Sequence, residues 1–565
     1  MQFLKQFFVF LILIALIAFA DYLYVGTGAI GIDDGNIFLN YAHHIAHGDG
    51  FVFNTNGERV EGFTSLLWVL ICAAFYLISS NPEILLICFC CLLTALSVTI
   101  VYRNLKNDIE NIYSKFSKYF FWIYCAFIVC IGASYVAWSV LSLMENALWN
   151  FFFTSTVLLV ANTIKPVNVS FKKEFILVVS GCLLVITRPE ALAWNLVFTV
   201  ILLWTFIQHK RKIFFPLIYF VCIASTSVAL TLFRLHYFGF EFPNTYYAKI
   251  SPDKIYNLTE GFKYALSFLT GYQALISFLF VLMAIVLLYA VFRLKILSKK
   301  HREAISDNVI ITKLCIITLI ILIGFVLPFT TGGDHFGGFR FYQDLLLLFA
   351  FGIVVIVWMF RHYPSNETAV KFLSLTVIIL FFCVIGLNDL FNLKDPSKAQ
   401  LNYEFALAQD GRDMAEDFND MLPAAKPSIG VIAAGGFGLK YLGNTVDLMG
   451  LNNTLMGHSP GDRKGIKNHA AFNKDVFYKL NPDVILPSYV KDSNEANIQY
   501  FNMLNLNNFD NEAMKNIFND ARFQQAYEPY FIAHKNDSAG MFIFVNKHYI
   551  SLLPKDKNVL IKKIK

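Results

Sequence analysis

The chain has 565 residues, of which 56% are hydrophobic and 15% charged, with 58 phenylalanines and a formal net charge of +6. Its apolar residues come in runs rather than amphipathic stripes, which excludes an ordinary soluble domain and points to a polytopic α-helical membrane protein. The basic residues are dispersed, so no nucleic-acid partner is expected.

The first apolar run, Phe7 to Val25, follows Lys5. Loops rich in Lys and Arg stay in the cytoplasm, so the N-terminus is expected inside and the next loop, residues 26–82, outside. Ala18-Phe19-Ala20 also reads as a signal-peptidase site, and cleavage there would export the same loop. That loop opens with "GIDDGN" and carries Asp33, Asp34, Glu58, Arg59 and Glu61. Ser65 to Ser79, about 15 residues, is too short to cross and is expected to be an interfacial or re-entrant helix. Ile84 to Tyr102 is long enough to span. Basic loops at Lys165 to Lys173, Lys210 to Lys212, Arg293 to Arg302 and Arg361 to Lys371 then alternate with outward ones, giving about 11 spans that end at Phe372 to Leu387.

The outward loops hold nearly all the unusual polar groups: "DDGN", "LMENALW" (Leu143 to Trp149), "TRPE" (Thr187 to Glu190), "FPNTYYAK" (Phe242 to Lys249) and "TGGDHFGGFRF" (Thr331 to Phe341). Residues 1–389 are therefore expected to form the membrane domain and 390–565 a soluble mixed α/β domain on the outer face. In it, "SIGVIAA", "TVDLMG" and "DVILPS" predict strands, "GGFG" a tight turn, "LKYLG" a short helix, and "FIAHKNDSAGMFIFVNK" a hairpin turning around Asp537 to Gly540. Gly435, Gly436, Gly438 and Gly443 lack the phosphate-cradling G-x-G-x-x-G spacing. All ten cysteines (72, 88, 90, 91, 125, 130, 182, 222, 315 and 383) lie in or beside apolar runs, with neither a disulfide framework nor a zinc spacing.

Two adjacent carboxylates at a membrane face are costly unless something uses them, because desolvation raises both pKa values and like charge raises one. Asp33 or Asp34 could cap the helix that follows. Equally, one could take a proton from an attacking hydroxyl while the other steadies positive charge on a sugar carbon. The pair could also ligate a divalent cation as readily as act alone, although no metal ligand set and no certain cofactor is assigned. His43 and His47 share a helical face, with a solvated surface as their default reading and no third ligand at a convincing spacing. Arg59, Arg188, Arg234, Lys249 and Arg340 lie on outward loops against the positive-inside pattern. They predict either ion pairs with Glu58, Glu190 or Asp334, or a pocket for a lipid phosphate.

The stretch "DDGNIFLNYAHHIAHGDGFVFNTNGERVEGFTSLLW", followed by "LMEN", "TRPEAL", "FPNTYYAK", "GGDHFGGFRF", "TVDLMGLNN" and "NPDVILP", resembles the GT-C membrane glycosyltransferases, among them the mycobacterial terminal arabinofuranosyltransferase and the type IV pilin arabinosyltransferases. The resemblance covers almost the whole chain, and "PNTYYAK" and "VEGFTSLLW" are its most specific pieces. It implies a polyprenyl-phosphate-linked sugar donor, arabinofuranose as the sugar, and a pilin or cell-surface glycan as acceptor. It further implies a bacterial inner membrane location with the active site and C-terminal domain facing the periplasm. The base role falls on Asp33 or Asp34. Arg340, with Lys249 or Arg188, would hold the donor phosphate, and Glu61, Glu145, Glu190, Asn244, Tyr246, Tyr247, Asp334 and His335 would support the site. Where relatives often read "GLET", this chain has Met144-Glu145-Asn146, which keeps the acid and loses the threonine. The expected reaction is an inverting single displacement in one cavity on the exported side. A transporter or flippase of lipid-linked sugars is the alternative, against which stand the lack of repeated halves and of midplane ionisable groups. A binding scaffold would not need so many spans.

Overall fold

The computed structural model describes residues 2–25, 29–164, 170–271, 276, 279–281, 283–285, 305–336, 338–362, 400–422, 426–535, 537–553 and 558–564. Among them, seven helical stretches are long and apolar enough to cross a membrane: Gln2–Leu23, Glu83–Gly132, Asn146–Ile164, Ala191–Gln208, Phe214–Tyr237, Val309–Thr330 and Arg340–Trp358. The expected final span, Phe372 to Leu387, lies outside the described residues, as do Cys383 and most of the basic stretches 293–302 and 361–371. Large apolar side chains face outward along these helices. Ile12, Leu16 and Phe19 do so on the first, and Phe214, Val221, Val228 and Leu232 on Phe214–Tyr237. In water such surfaces would aggregate, whereas in lipid they are the solvent-facing side. The protein is a multi-pass helical membrane protein with a mixed α/β region towards its C-terminus.

The chain divides into two compact units. One comprises Met1–Gly26, Ile84–Leu230 and Asn257–Asn402. The other comprises Thr27–Glu83, Thr231–Tyr256 and Tyr403–Lys565, so the C-terminal residues share a unit with the first loop and with the "FPNTYYAK" segment.

The first unit packs its helices through aromatic rings and small residues. Phe10 meets Tyr102 and Tyr124 at 5.1 and 5.6 Å between ring centres. A Cβ on Gly132 would stand 2.9 Å from Ile17 Cγ2, so glycine permits that helix approach. Polar side chains join helices where water is absent: Thr156 and Ser180 hydroxyls lie 2.7 Å apart, and the Tyr219 hydroxyl donates to Asn195. Lys313 and Asp108, both buried, pair at 2.7 Å.

The second unit is built on a six-stranded sheet of order β2-β1-β3-β5-β4-β6. Its strands are β1 (Ile429–Val431), β2 (Thr445–Asp447), β3 (Val484–Val490), β4 (Tyr527–His534), β5 (Gly540–Asn546) and β6 (Val559–Lys563). Strand β1 runs parallel to β2 and β3, and the remaining neighbours are antiparallel. The expected strands and hairpin are present, and β6 is added at the edge. "GGFG" is not a tight turn but the first part of a helix, Gly435–Lys440. Phe518, Phe523, Phe542 and Phe544 fill one core, each burial contributing about 1.5–3 kcal/mol.

In the first loop, helix Asp33–His47 ends at Gly48, whose φ of 89° closes the last turn. Helix Leu66–Tyr76 has 11 residues, with the Ser65 hydroxyl accepting from Trp68 N. At about 1.5 Å per residue it is too short for a roughly 30 Å hydrocarbon core.

Candidate active site

Neither Asp33 nor Asp34 is the helix cap. Ile32 occupies that position with no side-chain bond, and both aspartates stand in the first turn. The Asp33 side chain turns instead to a segment 402 residues away in sequence. Gly435 N–H donates to its Oδ2 at 3.1 Å and Gly436 N–H to its Oδ1 at 2.8 Å. This approach requires glycine, because a Cβ on Gly435 would lie 1.9 Å from the Asp33 carbonyl oxygen and one on Gly436 2.2 Å from that of Ala408. Asp33 is only 7% exposed. Burial pushes its pKa up to about 6, with the two amides pulling down and the neighbouring charges of Asp34 and Asp447 pushing up.

Asp34 is half-buried and faces Lys249 Nζ at 3.3 Å. Lys249 ends the short helix Asn244–Lys249, which follows Pro243. Asn244 anchors that helix: its Nδ2 donates to the carbonyls of Gly450 and Leu451 at 2.7 and 2.9 Å, and its N–H to that of Glu61 at 2.9 Å. The loop presenting those two carbonyls is shaped by Asp447, which accepts from Met449 N, Gly450 N and Asn452 N at 2.8, 3.1 and 2.8 Å, and from Asn452 Nδ2 at 2.9 Å. Burial raises Asp447 to about 6 against those four bonds. Gly62 of "VEGF" fits beneath this loop, where a Cβ would stand 2.0 Å from Asn452 Oδ1.

Glu61 and Arg234 form a buried two-point pair, Nε to Oε2 at 2.8 Å and Nη2 to Oε1 at 2.9 Å. Arg59 lies over the Tyr237 ring at 4.8 Å. Glu58 accepts from Thr454 N at 2.9 Å. Tyr246 is exposed, whereas the Tyr247 ring packs on His458 at 4.1 Å and its carbonyl accepts from Arg463. Arg412 bonds Asn36 Oδ1 at 2.7 Å and Glu83 at 2.9 Å, tying down the turn that follows the aspartates. His47 Nδ1 lies 2.8 Å from the carbonyl oxygen of His43.

The first unit holds its own charged cluster. Arg188 pairs with Glu190 at 2.6 Å and with the buried Glu145 at 3.4 Å. Its guanidinium stacks over Trp149 and Phe341 at 5.5 and 5.4 Å. Arg340 pairs with Asp334 at 2.7 Å, and stacks over the same Phe341 at 5.4 Å and over Phe336 at 4.7 Å. Both guanidinium groups thus lie against the Phe341 ring, Arg188 paired with two carboxylates and Arg340 with one. His335 Nδ1 lies 3.3 Å from Asp334. A Cβ on Gly338 would meet Trp138 Nε1 at 1.6 Å, so that glycine serves packing. Gly337 lies outside the described residues.

The sequence-predicted residues thus gather into two sets, each within one unit. Asp33, Asp34, Glu61, Asn244, Tyr246, Tyr247 and Lys249 form one; Glu145, Arg188, Glu190, Asp334, His335 and Arg340 the other. The ion-pair alternative holds for Arg188 with Glu190 and for Arg340 with Asp334, while Arg234 takes Glu61 and Lys249 takes Asp34. Sequence reasoning missed Gly435, Gly436, Asp447, Arg412 and Asp344, the last of which accepts from Trp149 Nε1 at 3.1 Å. "GGFG" and "TVDLMGLNN" held three of them, but were read there as a turn without phosphate-cradling spacing and as a strand within the family resemblance, with no site role for these residues.

No protein-family model matches the chain, and no curated protein matches it by sequence. Among solved structures it is similar to ArnT from Cupriavidus metallidurans bound to undecaprenyl phosphate, at 11% identity over 85% of this chain and 92% of that one, with a TM-score of 0.48. The same protein in the apo state gives 11% identity over 85% and 91%, with a TM-score of 0.49. The apo oligosaccharyltransferase of Archaeoglobus fulgidus gives 12% identity over 98% of this chain and 76% of that one, with a TM-score of 0.43.

Proposed function

We propose that this chain is a GT-C type glycosyltransferase that moves a sugar, arabinofuranose in the reading its motifs favour, from a polyprenyl-phosphate donor to a hydroxyl of a pilin or cell-surface glycan on the periplasmic side of a bacterial inner membrane. The observation that carries the reading is the Asp33–Asp34 pair: one carboxylate is fixed by two amides and titrates near 6, and the other lies against Lys249. A general base works best when its pKa approaches the operating pH, and Asp33 has that character.

In the reaction the acceptor oxygen attacks the anomeric carbon, and the bond from that carbon to the phosphate oxygen breaks. The electron pair leaves with the polyprenyl phosphate, and the acceptor proton passes to Asp33. A single displacement inverts the anomeric centre, and carboxylate charge stabilises the oxocarbenium-like transition state. The departing phosphate needs cations rather than a general acid. Lys249, which faces the Asp34 carboxylate at 3.3 Å, is the group we assign to it. The Asp34 carboxylate already paired with Lys249 is the one a phosphate would replace.

The test is incubation of the purified protein in lipid with a panel of tritiated polyprenyl-phosphate sugars (arabinofuranosyl, mannosyl and glucosyl) and alkyl glycoside acceptors. Transfer or donor hydrolysis supports the reading. Movement of intact donor across vesicles without bond cleavage would replace it with a lipid-linked sugar transporter.

A further inference from the structure

We infer that the adjacent amides of Gly435 and Gly436 are a positioning element for the Asp33 base, so that the mixed α/β region is part of the catalytic apparatus; this rests on the functional reading above. Each carboxylate oxygen of Asp33 receives one amide, at 3.1 and 2.8 Å, which fixes the rotation of the carboxylate and leaves a lone pair on each oxygen for a proton. The approach is close over the whole helix start. Besides the contacts at Gly435 and Gly436, a Cβ on Gly438 would lie 2.5 Å from Phe53 Cζ, and Phe53 is itself held by Asn40 of the Asp33 helix at 2.8 Å.

A second arm reaches the neighbouring acid. Strands β1 and β2 are parallel, with Ile429 opposite Thr445, so the segments leaving their C-terminal ends start side by side. The segment after β1 carries the amides on Asp33. The segment after β2, shaped by Asp447, offers the Gly450 and Leu451 carbonyls to Asn244, whose helix ends in Lys249, the partner of Asp34. One sheet edge therefore holds both first-loop carboxylates, one directly and one through a lysine. A mere staple would need neither amides placed on both carboxylate oxygens nor a second arm.

Two measurements on the full chain in nanodiscs test this. Hydrogen exchange comes first and needs no substrate. In Asp33→Ala, the amides of residues 434–438 should exchange at least tenfold faster than in the unaltered protein; unchanged protection would overturn the contact. The second is the pH profile of transfer with the tritiated donor panel named above. Gly435→Ala displaces the amides, and a misplacement of about 1 Å costs about 10²-fold in rate. The expected result is a kcat lower by about 10–100-fold, KM for the donor within about threefold, and an acid limb moved upward, because the lost amides stabilised the ionised form. Asn244→Ala is the second variant, expected to lower kcat/KM by about tenfold without moving that limb. Arg522→Ala, at an exposed pair on the same unit, should change nothing. Wild-type kcat and pH profile in Gly435→Ala would sink the inference alone. Wild-type transfer by Asp33→Asn would instead sink the base reading on which it rests.

Discussion

Asp33 carries a carboxylate whose burial is opposed by two backbone amides, and the balance leaves it near 6. An exposed aspartate titrates near 4. Since a general base acts only when ionised, transfer should rise with pH through about 6 and level off above it, measured as kcat against pH in the unaltered protein. An inflection near 4 would mean that an exposed acid does the work. Asp447, also near 6, has a different role, because its four donors are all local and define a loop. Asp447→Asn leaves N–H groups facing an amide, at about 1–3 kcal/mol for each buried donor left unmatched, and should lower the unfolding temperature before it lowers kcat. The Asp33–Asp34 pair could be singled out in the sequence, because paired acids at a membrane face are costly unless something offsets them. The difference between them was not, since their partners, Gly435 and Gly436 for one and Lys249 for the other, lie hundreds of residues away.

Elements set where these residues stand. Helix Asp33–His47 is held by Arg412 through Asn36, and the loop after it by the Glu61–Arg234 pair. Removing one partner of a buried pair strands the other, so Arg234→Ala should cost about 3–5 kcal/mol, while Glu61→Gln with Arg234→Met together should recover much of it. Thermal unfolding in detergent reads both; equal losses in the single and double variants would contradict a paired role. Strands β1, β2 and β3 and the β4–β5 hairpin were readable because apolar runs bounded by turn residues survive in any context. The helix expected at "LKYLG" instead runs Gly435–Lys440 and stops before Tyr441; glycine is a poor helix former, so the sequence pattern placed its start too late, and the close approach to Asp33 and Ala408 accounts for the glycines there. Strand β6 was missed because its exposed lysines hide the pattern, as suits a sheet edge.

For the molecule as a whole, hydrophobic runs and basic loops identify a multi-pass protein, and the helices with outward apolar faces agree. Counting is less direct. Seven stretches qualify among the described residues where the loop alternation predicts about 11 spans. Glu83–Gly132 is one apolar stretch containing helix Glu83–Tyr113 and most of Ser117–Val136, and helix Phe171–Thr187, with 17 residues, lies at the short end of the range for a crossing. The "FPNTYYAK" and "VEGFTSLLW" motifs were visible as words, and the contacts they make are structural: Asn244 and Gly62 fit the Asp447 loop, and Glu61 fits Arg234. We propose that the chain breaks a sugar–phosphate bond with a first-loop carboxylate as base. The decisive measurement is transfer from the tritiated polyprenyl-phosphate sugar panel with folded Asp33→Asn and Asp34→Asn beside the unaltered protein. The expected result is an inverted glycoside product and a loss of about 10²-fold or more in Asp33→Asn. Full transfer by both variants, or no donor cleavage by the unaltered chain, would contradict it.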